Sequence, residues 1–377
     1  MKVLFFFGTR PEAVKMAPLI KEFQKYQGEF DVRICVSAQH REMLDQVLSF
    51  FDIKPHYDLN IMKSQQTLFE ITAATLSGIR EVLQDERPDW LLVQGDTTTT
   101  FVGALAAFYE KIKVCHLEAG LRSFHKYSPF PEEMNRVLTS HIADIHLVPT
   151  ERAKRNLLRE SISEERIHLV GNTVIDALFL GTEKVEHLLP DDFSGAFDSI
   201  NFSDRVILVT GHRRESFGKP FMNICHALRT IADTKEVSVV YPVHLNPHVR
   251  KPVFEILAGV PNIHLIEPLD YPSFIWLMNR SYFILTDSGG VQEEAPSLGK
   301  PVLVMRDVTE RTEGIDAGTA KLVGTDPERI VEAASLLLDH REEYERMAKA
   351  VNPYGDGKSS ERIRNIFLNT VGLKKPE

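Results

Sequence analysis

Short apolar runs alternate with longer amphipathic stretches along most of the chain. The runs Lys2–Phe7, Val32–Ser37, Trp90–Gln94, Val114–Leu117, Ile145–Val148 and Ile167–Val170 have strand length. The stretches Ala13–Tyr26, Thr67–Asp85, Thr98–Lys111 and Glu132–Ile142 have helical spacing. Such alternation implies βαβ units and a parallel sheet. The pattern weakens between Gly171 and Ser203, where Gly, Pro, Asp and Ser gather around a helical Val174–Val185. It resumes with strands at Val206–Thr210, Val237–Pro242, Ile263–Ile266, Phe283–Thr286 and Val302–Met305. The tail Ser360–Val371 reads as a helix. We therefore expect an α/β protein of two doubly wound domains, 1–171 and 172–358. A terminal segment, 359–377, is expected to pack back on the first domain. In open α/β sheets ligands bind at the C-terminal ends of the strands, so a cleft there is expected to hold the site.

At 377 residues the chain exceeds what one core usually supports, consistent with two domains. No apolar run approaches the roughly 20 residues that span a bilayer. The opening MKVLFFFGTRPE resembles a short leader, but Arg10, Pro11 and Glu12 interrupt it and no small-residue cleavage site follows. It reads as the first buried strand. Cys35, Cys115 and Cys225 stand far apart in apolar contexts, without metal or redox spacing, and suggest a reducing, cytoplasmic setting. A net charge of −9 argues against broad nucleic-acid binding. It leaves an anionic small substrate open, because local charge governs a site.

Polar residues cluster where the strands end. After Phe283–Thr286, the residues Ser288, Gly289 and Gly290 open a helical segment carrying Glu293 and Glu294. A glycine turn into a helix start presents unpaired N–H groups to a phosphate, and carboxylates nearby suit sugar hydroxyls. After the first strand, GTRPEAVK sets Arg10 and Lys15 on the strand-proximal part of a helix. Asp96 follows the strand at 90–94 and Glu118 the strand at 114–117, as a general acid–base pair requires. Asp96 is equally a candidate helix cap. Glu132 and Glu133 open a helix with Arg136 one turn on, and Glu133 alone reads as dipole stabilisation. In the second half, His212 stands at a strand tip beside Arg213 and Arg214, a group suited to phosphate. No HExxH, clustered Cys/His or paired Asp with metal spacing occurs, so no metal is expected. A nicotinamide-type GxGxxG is absent too.

The strings FGTRPEAVKMAP, AQHREMLDQVL, GDTTTT, HLEAGLRS, YSPFPEEMNR, GNTVIDAL, TGHRRESFG, YPVHLNP, LTDSGGVQEEAPSLGKPV and NPYGDG follow one another across nearly the whole chain. Together they closely resemble the bacterial non-hydrolysing UDP-N-acetylglucosamine 2-epimerases. The resemblance implies the GT-B fold, two Rossmann-like domains facing a central cleft, as a homodimer. It implies reversible inversion at C2 of UDP-N-acetylglucosamine to UDP-N-acetylmannosamine, without an added cofactor. The implied route is loss of UDP to give 2-acetamidoglucal, then re-addition of UDP. Carried over by motif, Asp96, Glu118 and Glu132 are the expected catalytic carboxylates, and His212 the group assisting UDP departure. Arg10, Lys15, Arg136, Phe274, Ser288, Gly289, Gly290, Glu294 and Arg311 are the expected substrate contacts. A second, activating UDP-N-acetylglucosamine site would draw on Gln39, His40, Gln66, Arg213 and His244. The chain departs from the pattern at Leu269, where some members carry Gln, at Gln65, where some carry Arg, and at Thr312, commonly proline.

Three other readings stay open from sequence. A hydrolysing 2-epimerase would let water trap the intermediate. A GT-B glycosyltransferase would use the same cleft on an acceptor. A nucleotide-sugar sensor would bind without turnover, against which the retention of Asp96, Glu118, Glu132 and His212 argues. No membrane or nucleic-acid partner is expected.

Overall fold

A computed structural model describes residues 1–38, 41–63, 65–193 and 195–370. The chain divides into two compact units. The first comprises residues 1–179 and 355–377, and the second residues 180–354.

In the first unit the strands are β1 (Lys2–Phe7), β2 (Asp31–Val36), β3 (Tyr57–Asp58), β4 (Trp90–Gln94), β5 (Lys113–Leu117), β6 (Ile145–Val148) and β7 (Ile167–Leu169). They form one parallel sheet in the order β3-β2-β1-β4-β5-β6-β7. In the second unit the strands are β8 (Arg205–Thr210), β9 (Val237–Pro242), β10 (Ile263–Ile266), β11 (Phe283–Thr286), β12 (Val302–Val304) and β13 (Ala320–Leu322). Their order is β10-β9-β8-β11-β12-β13, again all parallel. Both sheets have the Rossmann-like doubly wound order expected from the alternation. The order reverses between β1 and β4 in one unit and between β8 and β11 in the other. A crevice forms at such a switch point because the flanking loops leave on opposite faces.

The central strands are apolar almost throughout because helices cover both faces. On one face of the first sheet, Leu4, Phe6, Cys35, Leu91 and Val93 pack with Ile79, Val82 and Leu83 of the helix Leu68–Glu86 and with Ala104 and Ala107 of the helix Thr98–Tyr109. On the other face Phe5 meets Phe23 edge to face at 5.7 Å. The helix Ser359–Thr370 packs there too, where Phe367 lies 5.4 Å from both Phe23 and Trp90. Asp176 accepts the Ser359 and Ser360 N–H groups at 3.2 and 2.7 Å and fixes the start of that helix. The second core joins Ile207, Val209, Val239, Tyr241, Phe283 and Leu285 to Phe221, Ile224, Leu228, Val249 and Val253.

Register decides which loops meet. Gln94 lies opposite Leu117, so Gly95 comes level with Glu118 and Asp96 follows one residue on. Thr286 lies opposite Thr210, which sets Asp287 beside Gly211 and His212.

Candidate active site

In the first unit, β1 ends at Gly8, where an added Cβ would sit 1.8 Å from the Ser37 hydroxyl. That close approach lets the chain turn directly into the helix Arg10–Gln24. Glu12, 1% exposed, accepts the Gly8 and Thr9 N–H groups at 3.0 and 2.7 Å with one oxygen. Its other oxygen accepts the Thr97 and Thr100 hydroxyls at 2.7 and 3.1 Å. One buried carboxylate thus ties the loops after β1 and β4 together across the switch point. Its burial raises its pKa, and these hydrogen bonds oppose the rise.

Thr97, not Asp96, caps the helix Thr98–Tyr109, accepting the Thr100 N–H at 3.1 Å. Asp96 is released from the capping role open to it from sequence. Its carboxylate accepts from Arg136 Nη2 at 2.5 Å, and its carbonyl accepts from Asn135 Nδ2 at 3.0 Å. Burial raises the Asp96 pKa, Arg136 pulls it back, and the nearby Glu118 charge pushes it up again.

Glu118 adopts a left-handed backbone, φ 62°, which is strained for a residue with a side chain. Its carboxylate accepts from Lys15 Nζ at 2.5 and 2.6 Å and from Asn172 Nδ2 at 3.2 Å, and also from the Gln94 amide. Two carboxylates on adjacent strand ends are therefore each held by a cation. Arg10 is half-buried at the start of its helix. Glu132 opens the helix Glu132–Ile142. The buried Glu133 beside it accepts the Ser123 and Phe124 N–H groups at 3.0 and 2.9 Å and pairs with Arg136 at 3.3 Å. Glu133 thus orders the loop leading to the helix.

In the second unit, Asp287 is fully buried after β11 and accepts the His212 and Arg213 N–H groups at 2.7 and 2.8 Å. The His212 Nδ1 lies 3.8 Å from the other Asp287 oxygen. The His212 ring stacks on His244 at 5.1 Å, and the His244 Nδ1 accepts the Asn246 N–H at 3.1 Å. Burial lowers the His212 pKa, Asp287 opposes this, and His244 and Arg213 add to it.

Ser288 stands before the helix Gly289–Glu294, but its hydroxyl does not cap it. A Cβ on Gly289 would lie 3.3 Å from the Arg311 guanidinium, and one on Gly290 3.5 Å from a Glu294 oxygen. Gly289 leaves room for the Arg311 guanidinium, whereas a side chain at Gly290 would make only ordinary contact with Glu294. Glu293 and Glu310 hold Arg311 at 2.9 and 3.0 Å. Phe274 is half-buried on the helix Tyr271–Arg280, which Asp270 caps.

Of the second-site residues, Gln39 and His40 lie outside the described residues. Gln66 is in the first unit, where its amide donates to the Ile61 carbonyl at 2.7 Å and accepts the Lys63 N–H at 2.9 Å. Arg213 and His244 lie in the second unit, beside His212. Sequence reasoning missed Glu12, Gln94, Asn135, Asn172 and Asp287. A signal existed for three of them: Glu12 lies three residues after Thr9, the capping-box spacing, and Gln94 and Asp287 are polar at strand ends.

The family model described as UDP-N-acetylglucosamine 2-epimerase matches residues 21–368. The UDP-N-acetylglucosamine 2-epimerase of Escherichia coli (strain K12) is 55% identical over 372 residues, covering 98% of this chain and 99% of the relative. The crystal structure of UDP-GlcNAc 2-epimerase from Neisseria meningitidis bound to UDP-GlcNAc is 52% identical, with a TM-score of 0.89 over 98% of this chain and 100% of that one. The Methanocaldococcus jannaschii UDP-GlcNAc 2-epimerase in complex with UDP-GlcNAc and UDP is 37% identical, with a TM-score of 0.80 over 98% and 100%. The two parallel sheets match the GT-B fold of these neighbours.

Proposed function

The chain belongs to the UDP-N-acetylglucosamine 2-epimerase family, and from that premise we propose that it interconverts UDP-N-acetylglucosamine and UDP-N-acetylmannosamine without hydrolysis. The observation that carries this reading is the pair Asp96 and Glu118, on the adjacent ends of β4 and β5 beside the switch point, held by Arg136 and Lys15. No carbonyl acidifies the C2 proton of the substrate. Inversion by proton abstraction alone would leave a localised carbanion. Elimination avoids this. One carboxylate takes the C2 proton, the C–H electrons become the C1–C2 double bond, and the C1–O bond breaks toward UDP. Addition reverses these changes with the proton delivered to the opposite face, so nothing is oxidised or reduced overall.

Asp96, Glu118 and Glu132 are the proposed carboxylates. The raised pKa of Asp96 suits a group that must both take and return a proton, because a base tuned upward is also the better acid partner on the return. In the second unit, His212 is proposed to assist the departing diphosphate. Ser288, Gly289, Gly290 and Arg311 are proposed to hold its phosphates, and Phe274 and Glu294 to meet the nucleoside. Arg10 is proposed as a further cation for the diphosphate. We further propose a homodimer in the cytoplasm, a second UDP-N-acetylglucosamine site using Arg213 and His244, and a product feeding surface polysaccharide. Among the described residues, no helix is long and apolar enough to cross a membrane.

Incubation with UDP-N-acetylglucosamine in D2O, followed by proton NMR, tests the reading. UDP-N-acetylmannosamine with deuterium at C2 is the expected product, in a mixture that stops at equilibrium. Free N-acetylmannosamine plus UDP would overturn the non-hydrolysing assignment. An unchanged spectrum despite binding would favour a sensor or a transferase.

A further inference from the structure

We propose that His116 is a positioning residue that clamps the Gly95 turn to β5 and so sets where Asp96 stands relative to Glu118. The proposal rests on the reading of Asp96 as a catalytic carboxylate. His116 lies on β5, opposite Val93 of β4 and two residues before Glu118, and is fully buried. Its Nε2 is 2.7 Å from the Gly95 carbonyl. A carbonyl only accepts, so Nε2 carries the proton. Among the described residues, Nδ1 is buried with no hydrogen-bond partner. Burial, its largest influence, lowers the imidazole pKa to about 4, so the ring stays neutral in one tautomer near neutrality.

Gly95 itself is left-handed, φ +72°. Its N–H donates to the Leu117 carbonyl at 2.9 Å. Both polar groups of Gly95 are therefore held by β5, the strand that leads into Glu118. The space a Gly95 Cβ would take lies 3.7 Å from Glu118 Oε2, so the turn passes close over that carboxylate. The residue after the turn is Asp96. Without the His116 donor, one of these two hydrogen bonds between Gly95 and β5 is lost. A displacement of about 1 Å in such a group is enough to cost on the order of 100-fold in rate.

The test compares His116→Leu, which has no donor, with His116→Gln, whose amide reaches a similar position. Asp96→Asn serves as reference, all in the full chain. Folding is checked by circular dichroism and thermal melts, and kcat and KM by NMR of the epimerisation. The expected result is a kcat lower by about 30–100-fold for His116→Leu with KM within about twofold, and a kcat within about threefold of the parent for His116→Gln. Should His116→Leu not fold, His116→Asn, with an amide too short to reach Gly95, takes its place. A donor-lacking variant with parental kcat overturns the proposal, as does His116→Gln falling equally far. Parental turnover by Asp96→Asn would instead sink the catalytic reading of Asp96. The 15N spectrum of labelled histidine then decides the geometry: a single Nε2-protonated ring supports the clamp, and an Nδ1-protonated ring refutes it.

Discussion

Asp96 keeps a raised pKa although Arg136 sits against it at 2.5 Å, because burial and the Glu118 charge outweigh the guanidinium. Removing the carboxylate charge should stop proton exchange while leaving the packing intact. Asp96→Asn is expected to fold normally and to lose at least about 100-fold in kcat, as measured by deuterium entry at C2. Arg136 both bonds to this carboxylate and lowers its pKa. Arg136→Leu should therefore move the acid limb of the kcat–pH profile to higher pH, since the carboxylate then protonates earlier as acid is added. An acid limb moved to lower pH would contradict the assignment. At the other site, Asp287 raises the His212 pKa against burial. Asp287→Asn is expected to shift the His212 titration to lower pH by NMR, and an unchanged titration would remove Asp287 as its electrostatic partner. Asp96 and Glu118 were legible in the sequence because each ends an apolar run. Asn172 was not. It meets Glu118 only because β7 and β5 share a sheet, a relation that no local pattern carries.

At the scale of elements, the fully buried strands read most clearly. Trp90–Gln94, Ile145–Val148 and Phe283–Thr286 fall where their apolar runs lie. The edge strands Tyr57–Asp58 and Ala320–Leu322 escaped notice, since two or three residues are too few to leave a periodic signature. Turns differ in a way that sequence alone does not reveal. Gly120 and Gly218 share φ +87°, so either would be strained by a side chain. The surroundings differ. A Cβ at Gly120 would lie 2.4 Å from the Ala153 carbonyl, which is backbone and cannot step aside, whereas nothing lies within 4 Å at Gly218. Gly218, with ψ −135°, stands in a region kept almost wholly for glycine, so Gly218→Ala should cost about 1–3 kcal/mol, the conformational term alone. Gly120→Ala should cost about 3 kcal/mol or more, because the loop after β5 must also move. Denaturant melts of the two variants check this, and equal losses would mean that the loop gives way freely.

For the molecule as a whole, the response to acid is set by buried groups that pull in opposite directions. His116 and His146 face each other in register on β5 and β6, both fully buried. Burial, the dominant cause, lowers the His146 pKa to about 3, and the neighbouring His116 adds to it. An unfolded histidine binds its proton near pH 6.5, so between pH 6.5 and 3 the unfolded chain holds a proton that the folded chain refuses. Stability present above pH 6.5 is thus lost progressively on acidification, by about 2 kcal/mol for His146 at pH 5. Glu12, Asp96 and Asp176 act the other way, since burial raises their pKa values and protonation favours the folded state. A bulk pH profile mixes both signs. A single replacement separates them: His146→Phe fills the space without a titrating ring and leaves the carboxylates in place. Between pH 7 and pH 5 the parent should lose about 2 kcal/mol more than this variant, read from hydrogen exchange of the β5 and β6 amides so that the second unit does not contribute. Equal losses in the two proteins would mean that His146 takes up its proton without unfolding, and that water reaches the space between β5 and β6.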